Sequence, residues 1–251
     1  DVVSYQLPIW SEFAMITIAC FKVGAVAHPV AMCYEEKELI RALEATESKC
    51  YFGPTFFHKT DYERRILSVK EKLPGLRGIV LLDDAKPAQT DTLLLRRILE
   101  TYEPLAKEQC VRGRTGQDMA VILCTSGTTG GTKGVLLTHD NVRYSEETFN
   151  RELNLTKDDA IFMPAPLHHA TGFHHAIIAP MLLGARVILQ QKYQCRAAID
   201  LMNREKATYS MGATPFIYDI LRELEQNGGS LPWLKFYPVS YTHLTLPTNR
   251  E

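Results

Sequence analysis

The sequence predicts an α/β fold, and three observations carry that prediction. Short apolar runs alternate with stretches of helical period from the first residues onward. With 45% hydrophobic residues in 251, the chain can bury a sizeable core as one large α/β domain or two small ones. A glycine-rich segment, Thr125 to Gly134, directly follows the apolar run Ala120-Val121-Ile122-Leu123-Cys124, where a strand of such a fold gives way to a loop.

Taken in order, Val2 to Pro8 reads as a strand closed by proline, and Glu12 to Val23 as a helix with Phe13, Ile16, Cys20 and Val23 at helical spacing. Gly24 to Pro29 returns as a strand. Glu35 to Glu47 makes a second helix with charges on its outer face, and Lys49 to Phe52 a third strand. The more polar stretch from Lys59 to Arg114 holds a helix near Tyr62 to Leu73, a strand at Gly78 to Leu82 and a helix near Thr92 to Tyr102. Arg112-Gly113-Arg114 reads as a solvated loop before a strand, with a basic contact as the alternative.

The segment Thr125-Ser126-Gly127-Thr128-Thr129-Gly130-Gly131-Thr132-Lys133-Gly134 combines glycines that permit tight turns, hydroxyl donors and one lysine. That composition cradles phosphates, and the order is read as strand, loop, helix. The spacing is not that of a Walker A loop, because Lys133 is followed by Gly134 where a hydroxyl residue is required. Nor do Gly127, Gly130, Gly131 and Gly134 form Gly-x-Gly-x-x-Gly. A plain flexible turn would explain the glycines but not the hydroxyls beside a lysine.

Thr-Ser-Gly-Thr-Thr-Gly-x-x-Lys-Gly after an apolar strand resembles the phosphate loop of the adenylate-forming superfamily of acyl-CoA synthetases, luciferases and peptide-synthetase adenylation domains. Gly131-Thr132 stands where the family usually has a residue followed by proline. The resemblance implies the layered α/β sheets of the N-terminal domain, incomplete here. It also implies that Thr125, Ser126, Gly127, Thr128, Thr129, Gly130 and Lys133 bind the β- and γ-phosphates of ATP. Leu7-Pro8-Ile9-Trp10-Ser11-Glu12-Phe13 and Lys22-Val23-Gly24-Ala25-Val26 match scaffold segments of that domain.

Beyond the loop, Thr138 is a natural N-cap, so Asn141 to Leu153 reads as a helix leading to a strand at Ala160 to Pro164. Pro166-Leu167-His168-His169-Ala170-Thr171-Gly172-Phe173-His174-His175 puts four histidines within eight residues. Clustered imidazoles suggest a zinc site, yet the run contains no cysteine or carboxylate, and adjacent histidines are expected to point in different directions. No metal ligand is therefore assigned. Pro-Leu-x-His-x-x-Gly resembles the motif that acyl- and aryl-CoA synthetases place beside the bound acid, which implies His169 as a substrate residue. A helix continues over Ala179 to Leu183, followed by a strand at Arg186 to Leu189 and a helix at Arg196 to Lys206. The segment Gly212-Ala213-Thr214-Pro215 lies at the end of a strand starting at Tyr209, where open α/β sheets place ligand contacts, and before a helix at Phe216 to Glu225. Its alternative reading is an ordinary strand-to-helix turn. In the family it borders the acyl pocket.

Net charge is −1, from 28 Lys and Arg against 29 Asp and Glu, which leaves no electrostatic footprint for nucleic acid or an anionic membrane. Cys20, Cys33, Cys50, Cys110, Cys124 and Cys195 form no Cys-x-x-Cys pair and read as free thiols of a reducing compartment, hence a cytoplasmic protein. No stretch has the length of a membrane span, and no signal peptide is evident. From Tyr237 to Glu251 the chain departs from the family and resembles translated sequencing-adapter DNA. Those residues read as a non-native tail after a partial AMP-binding domain at 1–236, with a frayed edge strand as the alternative. The family's Tyr-Gly-x-Thr-Glu motif, its ribose-holding aspartate and the lysine of its C-terminal domain are not in this sequence.

The resemblance implies part of an acyl-CoA synthetase that joins a carboxylic acid to AMP and passes the acyl group to CoA, with ATP, Mg2+ and CoA as its small molecules. Met163 to Leu167 and Ala170 to Phe173 point to a short- or medium-chain fatty acid, with aryl, alicyclic or carnitine-like acids as alternatives. A third possibility is an ATP-binding module without catalysis.

Overall fold

The computed structural model describes residues 1–82, 92–106, 110, 114–125 and 133–239, and it divides into two compact units, 1–142 and 143–251. In the first unit β1 (Val2–Tyr5), α1 (Ser11–Val23), β2 (Val26–Pro29), α2 (Glu36–Ala45) and β3 (Cys50–Gly53) follow the predicted alternation. A small antiparallel hairpin, β4 (Phe56–Phe57) and β5 (Thr60–Asp61), leads into α3 (Tyr62–Lys72), whose N-cap Asp61 accepts from Arg64 N at 2.9 Å. β6 (Gly78–Leu81), β7 (Leu93–Leu94), α4 (Leu95–Thr101), β8 (Met119–Thr125) and β9 (Lys133–Thr138) complete the unit up to α5 (His139–Glu152), which runs across the boundary.

Among the described residues the seven strands pair in the order β7-β6-β3-β1-β2-β8-β9. Every neighbouring pair is parallel except β8 and β9. Leu39 and Leu43 of α2 and Ile66 and Val69 of α3 pack with Tyr51, Ile79 and Leu81 of the sheet in one buried cluster. This burial is what helical spacing encodes, at about 25 cal/mol per Å² of apolar surface. Within α1, Phe13, Ile16 and Cys20 are buried as predicted, whereas Val23, at the end of the last turn, is 54% exposed. His28 of β2 is buried with its Nδ1 2.7 Å from Ser4 Oγ and its Nε2 3.5 Å from Cys124 Sγ, at the end of β8. Burial lowers its pKa to about 4, so it stays neutral at pH 7.

One prediction for this region is corrected. The residues after the loop form a strand, β9, so the order is strand, loop, strand. Val135 lies opposite Leu123 and Lys133 opposite Thr125 in an antiparallel ladder. The edge of β8 offers unpaired backbone groups, and pairing along it satisfies two rows of hydrogen bonds before any helix begins. Helix α5 starts where predicted chemistry starts it. Asn141 N donates to Thr138 Oγ1 at 3.1 Å and Thr138 N to Asn141 Oδ1 at 3.0 Å, a reciprocal cap.

The second unit contains β10 (Ala160–Met163), α6 (Ala170–Phe173), a π-turn (His174–Ile178), α7 (Ala179–Leu183), β11 (Arg186–Leu189), α8 (Cys195–Arg204), β12 (Tyr209–Ser210) and α9 (Thr214–Asn227). Its three strands are parallel, in the order β11-β10-β12. Phe162, Ile188, Ile199, Met202 and Ile220 form the core between that sheet and α8 and α9. Isolated parallel bridges join Tyr209 to Phe236 and Gly212 to Val239, so the chain up to residue 239 runs alongside β12.

Candidate functional site

In the first unit, Thr125 ends β8 and Lys133 begins β9, directly opposite each other, with Thr125 Oγ1 donating to the Lys133 carbonyl at 3.4 Å. Both residues are exposed. The predicted phosphate ligands Ser126, Gly127, Thr128, Thr129 and Gly130 lie outside the described residues. The ladder thus pairs the two described residues that flank 126–132, one of them carrying an ammonium group.

In the second unit the two predicted substrate segments come together. Residues 164–169 leave the carboxyl end of β10 and residues 211–213 that of β12, its parallel neighbour. They touch: a Cβ at Gly212 would lie 3.2 Å from Pro164 Cγ, 3.0 Å from Phe216 Cδ2 and 2.9 Å from Tyr237 Oη, so any side chain there displaces the wall. Ala213 is the N-cap of α9, and Thr214 and Pro215 open it, Pro215 standing where a missing N–H costs nothing. The strand-end placement and the ordinary helix-start chemistry are both present.

His169 is exposed and is the N-cap of α6, its Nδ1 accepting from Thr171 N at 3.4 Å. Its backbone N–H bonds the Pro166 carbonyl at 3.1 Å and its carbonyl accepts from Phe173 N at 2.8 Å. Gly172 explains the last position of the motif. A Cβ there would fall 2.2 Å from the Pro166 carbonyl oxygen, so only glycine lets α6 lie against the loop that carries His169. Burial, then the adjacent His169, lower the pKa of His168 to about 4.

Sequence reasoning missed Glu146. This residue of α5 is 1% exposed, and its carboxylate faces both His174 and His175, with Oε1 3.2 Å from His174 Nδ1 and Oε2 3.1 Å from His175 Nδ1. The first contact has hydrogen-bond geometry, while the second is close but misaligned. Adjacent histidines therefore point the same way, contrary to expectation. The two rings open the π-helical segment and reach different oxygens of the carboxylate, His174 towards Oε1 and His175 towards Oε2. Burial opposes the charge on Glu146, but the two imidazoles outweigh it and hold its carboxyl at about 2. The missed sequence clue is a carboxylate within an otherwise apolar helical stripe, since Glu146 stands between Val142 and Phe149 at helical spacing. Among the described residues no group of three or more His, Cys, Asp or Glu is arranged to hold a metal ion.

Strands β8 and β9 bracket the glycine-rich segment, and parallel β-α units follow with a Pro-Leu-His-His-x-x-Gly turn at a strand end, an α/β arrangement. Residues 1–238 match the family described as AMP-binding enzyme, and the chain belongs to that family. Along its whole length it is 39% identical to the medium-chain fatty-acid–CoA ligase of Escherichia coli strain K12, covering 44% of that protein. The chain thus spans about half the length of the curated relatives it matches. Among solved structures, the o-succinylbenzoate–CoA synthetase MenE of Bacillus subtilis, bound to its acyl-adenylate intermediate, superposes with a TM-score of 0.76 at 18% identity. That match covers 97% of this chain and 56% of the other. ATP-bound MatB of Rhodopseudomonas palustris gives 0.78 at 23% identity, covering 95% of this chain and 44% of the other. These two likenesses concern the fold.

Proposed function

We propose that this chain is the ATP- and acid-binding part of an acid–CoA ligase acting on a short- or medium-chain fatty acid. The 39% identity to a medium-chain fatty-acid–CoA ligase over all 251 residues carries this reading. In the first step a carboxylate oxygen attacks the α-phosphorus of ATP and pyrophosphate leaves. In the second the CoA thiolate attacks the acyl carbonyl carbon and AMP leaves. A carboxylate is a poor electrophile until its oxygen becomes part of a leaving group, so the protein's work is to neutralise the triphosphate and aim the acid. Thr125, Ser126, Gly127, Thr128, Thr129, Gly130 and Lys133 would hold the β- and γ-phosphates, with magnesium entering as part of the substrate MgATP. His169, Gly212, Ala213, Thr214 and Pro215 would line the acid. We place the protein in the cytoplasm, consistent with six free cysteines and with no described helix long and apolar enough to cross a membrane.

The test is acid-dependent ATP–pyrophosphate exchange by a protein extended to the family's full length, across C4 to C12 fatty acids and aryl, alicyclic and carnitine-like acids. Exchange strongest with C6 to C10 acids supports the proposal, and exchange confined to aryl acids replaces its substrate class. ATP binding without exchange for any acid replaces it with a binding module. The 251-residue chain alone is expected to catalyse no exchange.

A further inference from the structure

We infer that Glu146 is a positioning residue for the acid wall: its carboxylate hydrogen-bonds His174 and stands against His175, fixes the His174 imidazole with its proton on Nδ1, and thereby holds the turn that carries His169. The acid-wall part of this inference rests on the function proposed above, whereas the tautomer part does not. An ionised carboxylate only accepts hydrogen bonds, so the His174 Nδ1 aligned on Oε1 at 3.2 Å must carry a proton, or two lone pairs would face each other. Its Nε2 is left as the second functional atom of the ring. The groups facing Glu146 come from three elements: Ser145 Oγ of α5 at 3.5 Å from Oε1, the two imidazoles of the π-turn, and the buried Tyr209 of β12, whose phenol feels the Glu146 charge. Among the described residues no lysine or arginine pairs with this carboxylate, and the two imidazoles are the groups that lower its pKa.

The link to His169 is short and rigid. His174 follows directly on Phe173, whose N–H bonds the His169 carbonyl at 2.8 Å, and Gly172 is pressed onto Pro166 and Leu167. A rotation of the π-turn therefore moves the backbone of the Pro-Leu-His-His turn. His175 is held on its other side by Phe149, with ring centroids 4.4 Å apart. The carboxylate thus acts on the wall through the imidazoles and needs no contact with substrate of its own.

Two measurements test this. Long-range 1H–15N spectra of the chain at pH 7 read the protonation of each ring nitrogen directly: a proton on Nδ1 of His174 is expected, and a His174 carrying its proton on Nε2 alone overturns the inference without any variant. Glu146→Gln should shift His174 toward Nε2–H. In the full-length protein the same variant should raise KM for the acid roughly ten- to hundredfold while KM for ATP stays within about twofold. Glu146→Asp, which keeps the charge, should recover part of that loss. An unchanged acid KM in an exchange-active Glu146→Gln enzyme sinks the positioning role. A protein with the expected proton on His174 Nδ1 but no exchange with any acid sinks instead the acid-wall part together with the proposed function, and leaves the Glu146–His174 hydrogen bond in place.

Discussion

Single residues in the second unit show how little freedom the Pro-Leu-His-His turn has. A methyl group at position 172 meets the Pro166 carbonyl oxygen at 2.2 Å, a backbone atom that cannot move aside cheaply. Gly172→Ala is therefore expected to destabilise the chain by about 1–3 kcal/mol, read by urea unfolding, and a wild-type midpoint would show that α6 can lift off the turn. His169, by contrast, is exposed and makes one long cap bond, so His169→Ala should cost stability about 1 kcal/mol or less. On the proposed function its effect appears in the acid. Unchanged acid affinity and adenylation rate in that variant would refute its substrate role.

At the level of elements, helix α5 is where sequence and structure agree and disagree most instructively. Its start was legible, because Thr138 and Asn141 cap each other through side chains three residues apart. Thr138→Ala should lose about 1 kcal/mol of stability through that cap, measured by chemical denaturation. A larger loss would point to the register of β9 as well, since Thr138 also pairs with Met119. The strand in front of the helix was not legible. Val135 and Leu136 are 42% and 58% exposed, so no burial pattern marks them, and they become a strand only because β8 leaves an edge to pair with. The same holds for the face that α5 buries. Its charge at position 146 looks like surface until the two imidazoles of the π-turn arrive beside it.

For the whole molecule, Glu146 makes stability depend on acid. Its folded pKa of about 2 lies below the usual carboxylate value of about 4.3, so the stability it supplies is fully present above the unfolded pKa. That contribution is lost as pH falls from the unfolded value through about 2. Glu146→Gln should flatten the pH dependence of stability in that window, which denaturation between pH 2 and 6 would reveal. A parallel pH profile in the variant would mean the carboxylate is not held ionised. Lys133→Ala should abolish measurable ATP binding on the proposed function, while full binding would make the loop a structural feature only. The reading of residues 237–251 as a non-native tail stands as a proposal. Re-reading the coding DNA through the codon for Phe236 checks it: a frame continuing into Tyr-Gly-x-Thr-Glu supports the tail as foreign, and the present frame ending at Glu251 refutes it.

The sequence by itself determined the α/β class, most element positions and the family, because period, caps and the long loop motif are local properties of neighbouring residues. It also located the two segments that the parallel strands β10 and β12 place side by side, since strand-end positions follow from the alternation of elements. Only the tertiary structure decided that the loop returns as a strand, that Gly172 presses on Pro166, and that two adjacent histidines share one buried carboxylate. Those outcomes depend on how the backbone folds back on itself: the free edge of β8, the Pro166 carbonyl six residues before Gly172, and a side chain 28 positions upstream of His174. A charge in a helical stripe has no partner in one dimension. It acquires one when the π-turn folds against α5.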